Sequence, residues 1–235
     1  MSTDFSSLNL DKRLSTAVSE LGFTSMTDIQ SAALPFILSG KDVTGQAKTG
    51  SGKTVTFALG LLSTLKLEQS EVQALVLCPT RELAEQVAQE IRKLGRNLDN
   101  MKVLSLCGGM PMGPQISSLS HGAHVVVGTP GRVMDHLLKG RLELRQLSVL
   151  VLDEADRMLD MGFEKEMATV IKHSPVQRQT LLFSATYPEQ IQQMSLKVQR
   201  NPHLIQVHDE TATHKIEQQF YKVTNQHRIR SAAAV

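Results

Sequence analysis

The sequence predicts an α/β fold, a doubly wound parallel sheet flanked by helices on both faces. Three observations carry this. Short apolar runs recur at 74–78, 103–106, 125–127, 149–152, 180–183 and 204–207, continuous or nearly so and rich in Val and Leu. Strands covered on both faces by helices read this way, because neither face meets water. Amphipathic stretches lie between the runs. Leu83, Val87, Ile91 and Leu94 recur at helical spacing, with Glu82, Glu85, Glu90 and Lys93 off the stripe. Finally, strands that alternate with helices are joined by right-handed crossovers, which place helices on both sides of one sheet.

The elements follow in order. The chain opens Met1-Ser2-Thr3-Asp4-Phe5, with no basic segment leading into an apolar one, so no signal peptide is expected. Leu10, Leu14, Val18 and Leu21 form a first helical stripe, and 42–46 is a weak strand. No apolar run approaches the length of a membrane span, so no membrane partner and a cytoplasmic location are expected. Cys78 and Cys107 each end an apolar run and match no zinc spacing, so both are expected as buried free thiols of a reducing compartment. Hydrophobic residues make up 41% of the 235 positions and charged residues 20%, a balance that suits a packed core. The net charge of +2 excludes a global field for nucleic acid, so any such site has to be a local patch. After Val207 the pattern decays into polar sequence containing Arg228 and Arg230. Residues 1–208 therefore read as one domain, and 209–235 as the start of an interdomain linker or a chain end.

Two strings carry chemistry. Ala47-Lys48-Thr49-Gly50-Ser51-Gly52-Lys53-Thr54 follows the weak strand and opens a helix. Its glycines let backbone N–H groups turn inward around phosphate oxygens. Lys53 has the reach for the β and γ phosphates, and the Thr54 hydroxyl suits Mg²⁺. The general pattern has Gly where this chain has Ala47, and a Gly-rich surface loop is the plainer alternative. The second string, Asp153-Glu154-Ala155-Asp156, directly follows the run 149–152. Ligands bind at the carboxyl ends of strands in open parallel sheets. An Asp there suits Mg²⁺, partly through water, and a neighbouring carboxylate can activate a water. Asp153 is thus the metal-side candidate and Glu154 the base candidate, against the alternative of a solvated acidic turn at a helix start.

With these strings in place, the chain resembles the DEAD-box RNA helicases over about residues 5–224. Asp153-Glu154-Ala155-Asp156 matches the motif that names the family, whose phosphate loop commonly opens with Ala. Gly22-Phe23 with Thr27-Asp28-Ile29-Gln30 resembles the Q motif, with Asp28 where Pro is common. Pro79-Thr80-Arg81-Glu82-Leu83-Ala84, Gly108-Gly109 and Thr129-Pro130-Gly131-Arg132 resemble the RNA-contacting motifs. Ser184-Ala185-Thr186 resembles the motif that couples hydrolysis to RNA. Within the family the chain is most similar to a bacterial subgroup that acts on large-subunit ribosomal RNA during ribosome assembly.

The resemblance implies a RecA-like domain that binds ATP or ADP with Mg²⁺ and needs a second RecA-like domain to unwind RNA. It implies that Phe23 stacks on adenine and Gln30 bonds the base edge, that residues 47–54 hold the phosphates, and that Thr54 and Asp153 hold the metal. Lys53, Asp153, Glu154, Asp156, Ser184 and Thr186 would form the catalytic set, with Ser184 and Thr186 bonding the Asp156 carboxylate. Thr80, Arg81, Gly109, Thr129 and Arg132 would contact the RNA backbone. Plainer roles stand beside these. Thr27 and Gln30 have capping-box spacing, and Phe23 suits a core. Thr80 suits a helix cap, and the arginines suit acidic neighbours. A DNA translocase, and a nucleotide-gated RNA-binding module without turnover, are the competing functions.

Overall fold

The computed structural model describes residues 3–207; the expected linker at 209–235 lies outside the described residues. In chain order the elements are α1 (Lys12–Glu20), α2 (Asp28–Leu38), β1 (Val43–Gln46), α3 (Lys53–Leu62), β2 (Ala74–Leu77), α4 (Arg81–Leu94), β3 (Val103–Leu106), α5 (Met112–Ser120), β4 (Val125–Gly128), α6 (Pro130–Leu138), β5 (Val149–Leu152), α7 (Ala155–Asp160), α8 (Glu164–Lys172), β6 (Gln179–Ser184), α9 (Glu189–Val198) and β7 (His203–Gln206). The seven strands form one sheet in the order β3-β4-β2-β5-β6-β1-β7, and every paired neighbour is parallel.

Alternation along each strand divides the core in two. In β2, Ala74 and Val76 face one layer while Leu75 and Leu77 face the other; β5 repeats this with Val149 and Val151 against Leu150 and Leu152. The first layer packs beneath α1–α4, through Leu14, Ile29, Phe57 and Ile91 among others. The second packs beneath α6–α9, through Val133, Met158, Val170 and Ile191. Each such side chain, fully buried, stabilises the fold by about 1.5–3 kcal/mol. Space is rationed at β1. A Cβ on Gly45 would lie 2.6 Å from the Phe183 ring, and that ring in turn packs on Phe57 with centroids 5.6 Å apart.

The expected strands all form, within a residue or so at their ends. Two of them depart from burial on both faces. Only Val103 and Leu106 are buried in β3, and β7 has no buried residue. Both are sheet edges, where one side has no neighbouring strand to shield it. α2 begins at Asp28, where the resembling family commonly has Pro. Cys78 and Cys107 are buried free thiols, as expected. Burial pushes Cys78 well up and takes Cys107 up to about 11. Among the described residues no helix is long and apolar enough to cross a membrane.

Candidate functional site

Parallel pairing puts the carboxyl end of every strand on one edge, and the sheet order sorts the motifs along it. The phosphate loop follows β1, Asp153 and Glu154 follow β5, and Ser184 ends β6; these three strands are adjacent. Thr80 and Arg81 follow β2, Gly108 and Gly109 follow β3, and Thr129 follows β4; these three are also adjacent. Motifs scattered along the chain thus become two neighbouring groups that meet where β2 pairs with β5.

The phosphate loop wraps around its own lysine. Lys53 is buried, and its Nζ donates to Ala47 O at 2.7 Å. Gly50 and Gly52 have φ of +84° and +97°, values that glycine adopts without strain. A Cβ on Gly52 would also meet Gln30 Nε2 at 2.6 Å. The Q-motif residues brace this loop from the side. Thr27 Oγ1 donates to Ser51 O at 2.8 Å, and Gln30 Nε2 donates to Gly52 O at 3.4 Å. Gln30 Oε1 accepts from Thr27 N at 2.8 Å, the capping-box half of its expected alternatives. Phe23 is half-buried against the edge of the core, 6.4 Å from the Phe5 ring between centroids, in keeping with its plainer role. Lys48, Thr49 and Gly50 are exposed, while Thr54 is half-buried at the first turn of α3.

Across the site, Asp153 is 2% exposed and its Oδ1 accepts from Glu154 N at 3.0 Å. Burial pushes its carboxyl up to about 6; the Lys53 ammonium opposes the rise and the Glu154 carboxylate adds to it. Glu154 caps α7 in the left-handed region, at φ 50° and ψ 52°. A non-glycine residue held there stores on the order of 1–3 kcal/mol of strain, a pattern that clusters at functional sites. Its Oε2 lies 3.3 Å from Arg157 Nη1. Asp156 reaches β6's end: its Oδ2 accepts from Thr186 N at 3.0 Å and from Thr186 Oγ1 at 2.9 Å. Burial opposes ionisation of Asp156, but these bonds outweigh it and hold its pKa below the usual value. Ser184 acts on Asp156 less directly than Thr186 does. It lies close enough to favour the ionised Asp156, yet its buried Oγ makes no hydrogen bond. Ser184 is the last residue of β6, paired in the sheet with Gln46.

The donor set suits a divalent ion held mainly by substrate. Among the described residues there is no group of three His, Cys, Asp or Glu able to cage a metal. A single carboxylate is enough for Mg²⁺ when phosphates and water supply most of the remaining oxygens. Without such an ion the charge on Asp153 weakens the fold. A carboxyl raised above its unfolded value contributes most to stability below pH 3.8, and this is lost as pH rises through about 6. The rise from 3.8 to about 6 corresponds to about 3 kcal/mol at most. Asp153→Asn keeps the acceptor for Glu154 N and removes the charge. In chelator and without nucleotide, its unfolding free energy is expected to exceed that of the unmutated chain by a margin that grows between about pH 4 and about pH 7. Chemical denaturation across that range checks this, and a margin independent of pH would contradict the assignment.

On the other group of strands, Thr80 Oγ1 accepts from Leu83 N at 3.2 Å and caps α4, its plainer role. Arg81 is exposed and has no hydrogen bond or ion pair among the described residues. Gly109 has φ +73° with open space beside it. Thr129 Oγ1 accepts from Gly108 N at 3.3 Å. Arg132 takes no acidic partner among the described residues; its Nη1 donates to Met110 O at 3.0 Å and to Gln115 Oε1 at 2.9 Å. Lys53, Asp153, Glu154, Asp156 and Thr186 therefore gather on one side, and Thr80, Arg81, Gly109, Thr129 and Arg132 on the other. Residue spacing carried no sign of two features, the Thr27 hydroxyl as a brace for Ser51 and the left-handed Glu154.

This arrangement of a phosphate loop, an acidic strand end and a flanking row of exposed loops has relatives among known proteins. A profile of the DEAD/DEAH box helicases matches residues 27–194. The chain is 55% identical over 228 residues to ATP-dependent RNA helicase DbpA of Escherichia coli K12, which covers 97% of this chain and 50% of that protein. It is 42% identical to DEAD-box ATP-dependent RNA helicase CshA of Geobacillus kaustophilus, over 93% of this chain and 47% of the relative. The crystal structure of a DEAD box protein from the hyperthermophile Methanococcus jannaschii superposes with a TM-score of 0.85 at 36% identity, over 99% of this chain and 62% of that one. The chain belongs to the DEAD-box helicase family, and its fold is RecA-like. It spans about half the length of the curated relatives it matches.

Proposed function

We propose that residues 1–208 are the N-terminal RecA-like domain of an ATP-dependent RNA helicase, and that 209–235 begin the linker to a second such domain. The observation that carries this is the contact of Asp156 with Thr186, which joins the nucleotide-side acidic string to the end of β6. Residues 47–54 bind the phosphates of ATP or ADP, with Lys53 exchanging Ala47 O for phosphate oxygen. Thr54 and Asp153 would hold Mg²⁺, which would supply charge neutralisation at the phosphates. Glu154 orients the attacking water and takes its proton. Asp156, Ser184 and Thr186 relay the state of that site. The protein is expected in the cytoplasm, and its subgroup resemblance favours ribosomal RNA precursors in large-subunit assembly. The groups facing outward here carry no base code, so that preference would arise elsewhere in the whole protein.

Gln30 supports adenine over guanine. Each end of its amide keeps one unused hydrogen-bonding site beyond Thr27 N and Gly52 O, enough to match adenine's donor and acceptor edge, while guanine presents the reverse. ATP is expected to bind with Mg²⁺ at least about tenfold more tightly than GTP. Calorimetric titration of this chain with each nucleotide tests the reading, and equal affinities would remove Gln30 from base recognition.

Thr80, Arg81, Gly109, Thr129 and Arg132 offer hydroxyl, guanidinium and N–H groups that suit phosphate and 2′-hydroxyl oxygens. In the whole protein, Arg81→Ala is expected to weaken binding to unrelated single-stranded RNAs alike and to lower the salt slope by about one. Anisotropy titrations at several salt concentrations read both. A changed sequence preference with an unchanged slope would contradict backbone recognition.

A further inference from the structure

Gln115 lies in none of the motifs that the resemblance assigns, yet it sits at the centre of a buried polar network. It is 8% exposed, on the inner face of α5. Its Oε1 lies 2.9 Å from Arg132 Nη1 and 2.9 Å from His136 Nε2, and its Nε2 donates to Cys107 O at 3.1 Å. A carbonyl oxygen only accepts, so His136 carries its proton on Nε2. His136 Nδ1 is then a lone pair, buried without a partner. Burial, with Arg132 and Arg141 beside it, lowers the pKa of His136 and keeps the ring neutral. The polarity of the network is therefore fixed from one end to the other.

We propose that Gln115 is a positioning residue for RNA, locking the Arg132 guanidinium and the loop 107–110 into a single rigid surface. This rests on the reading of Arg132 as an RNA contact. Gln115 Oε1, Met110 O and, more distantly, Met112 Sδ all take Nη1 of Arg132, which among the described residues leaves Nε and Nη2 of that guanidinium without a partner and open to a phosphate. The loop is held at Cys107 O by Gln115, at Gly108 N by Thr129 and at Met110 O by Arg132. Between these ties, Gly109 N donates to no protein group among the described residues. Fixing both donors in advance lowers the ordering cost of binding a flexible strand.

The test uses the whole protein with a labelled single-stranded RNA, a non-hydrolysable ATP analogue and steady-state ATP hydrolysis. Gln115→Met fills the same space without the hydrogen bonds. It is expected to weaken RNA binding about tenfold, with the loss falling on the half-saturating RNA concentration more than on kcat. Combined with Arg132→Ala, it should add nothing further, because Gln115 acts through Arg132. ADP affinity reports whether the domain is folded. Should Gln115→Met fail to bind ADP, Gln115→Asn decides: it keeps the amide but draws it back by one methylene, so it cannot reach Arg132 and Cys107 O together; RNA binding about tenfold weaker, with nothing added by Arg132→Ala, supports the proposal, and RNA binding within about threefold of the unmutated protein overturns it. Additive losses in the double variant, or unmutated RNA affinity in Gln115→Met while Arg132→Ala is weakened, also overturn it. Unchanged RNA binding in Arg132→Ala itself would instead remove the RNA reading of this face on which the proposal stands.

Discussion

Glu154→Gln in the whole protein is expected to bind ATP almost as tightly as the unmutated enzyme and to turn it over about 10²–10⁴ times more slowly. The amide keeps the size of the side chain and its place at the head of α7, so the left-handed backbone has no new reason to relax. It cannot accept the proton of an attacking water. Nothing in the phosphate loop depends on Glu154: Lys53 bonds Ala47 O, and the Q-motif residues bond Ser51 and Gly52. Lys53→Ala gives the contrasting result. It removes the buried cation at the centre of the loop, so nucleotide affinity itself should fall. Nucleotide binding and single-turnover hydrolysis, measured side by side on both variants, separate the two roles. Normal hydrolysis by Glu154→Gln would show that the base lies elsewhere.

Much of this site was legible because its residues sit where strand runs stop. Asp153 follows four apolar residues without a break, so burial, and with it the raised carboxyl pKa, was already implicit in the string. Strand positions were legible for the same reason, since both-face burial demands apolar runs. The order of the strands was not, because each crossover passes over a number of neighbours that no local pattern encodes. The separation of the motifs into two neighbouring groups depends on that order and came only with the sheet. Side-chain partners were half legible. Thr186 and Ser184 both bear on Asp156, as the string implied, but only Thr186 makes two hydrogen bonds to it within ordinary geometry. Gln115 carried a signal that is easy to pass over. With Met112 and Leu119 it falls on one helical face, and a carboxamide on an otherwise apolar stripe has to find buried partners.

The second large effect concerns what this chain does alone. The described residues build one wall of a nucleotide site, open at the carboxyl edge of the sheet, and the resemblance places arginines that reach the γ phosphate on a second domain. Arg228 and Arg230 lie outside the described residues, in a polar stretch that gives no sequence sign of a fold around them. Losing an arginine finger costs about 10³–10⁵ in phosphoryl transfer. An RNA cleft with one wall also has nothing to close against, so no duplex can be strained. The isolated chain is therefore expected to fold and bind nucleotide, with almost no RNA-stimulated hydrolysis and no unwinding. The most direct test is steady-state ATP hydrolysis at saturating RNA by this chain, beside the same chain with the second domain restored. The restored protein is expected to be faster by at least about 10³. A rate for the isolated chain within about tenfold of the restored protein would contradict the claim that this domain supplies only half of the catalytic site.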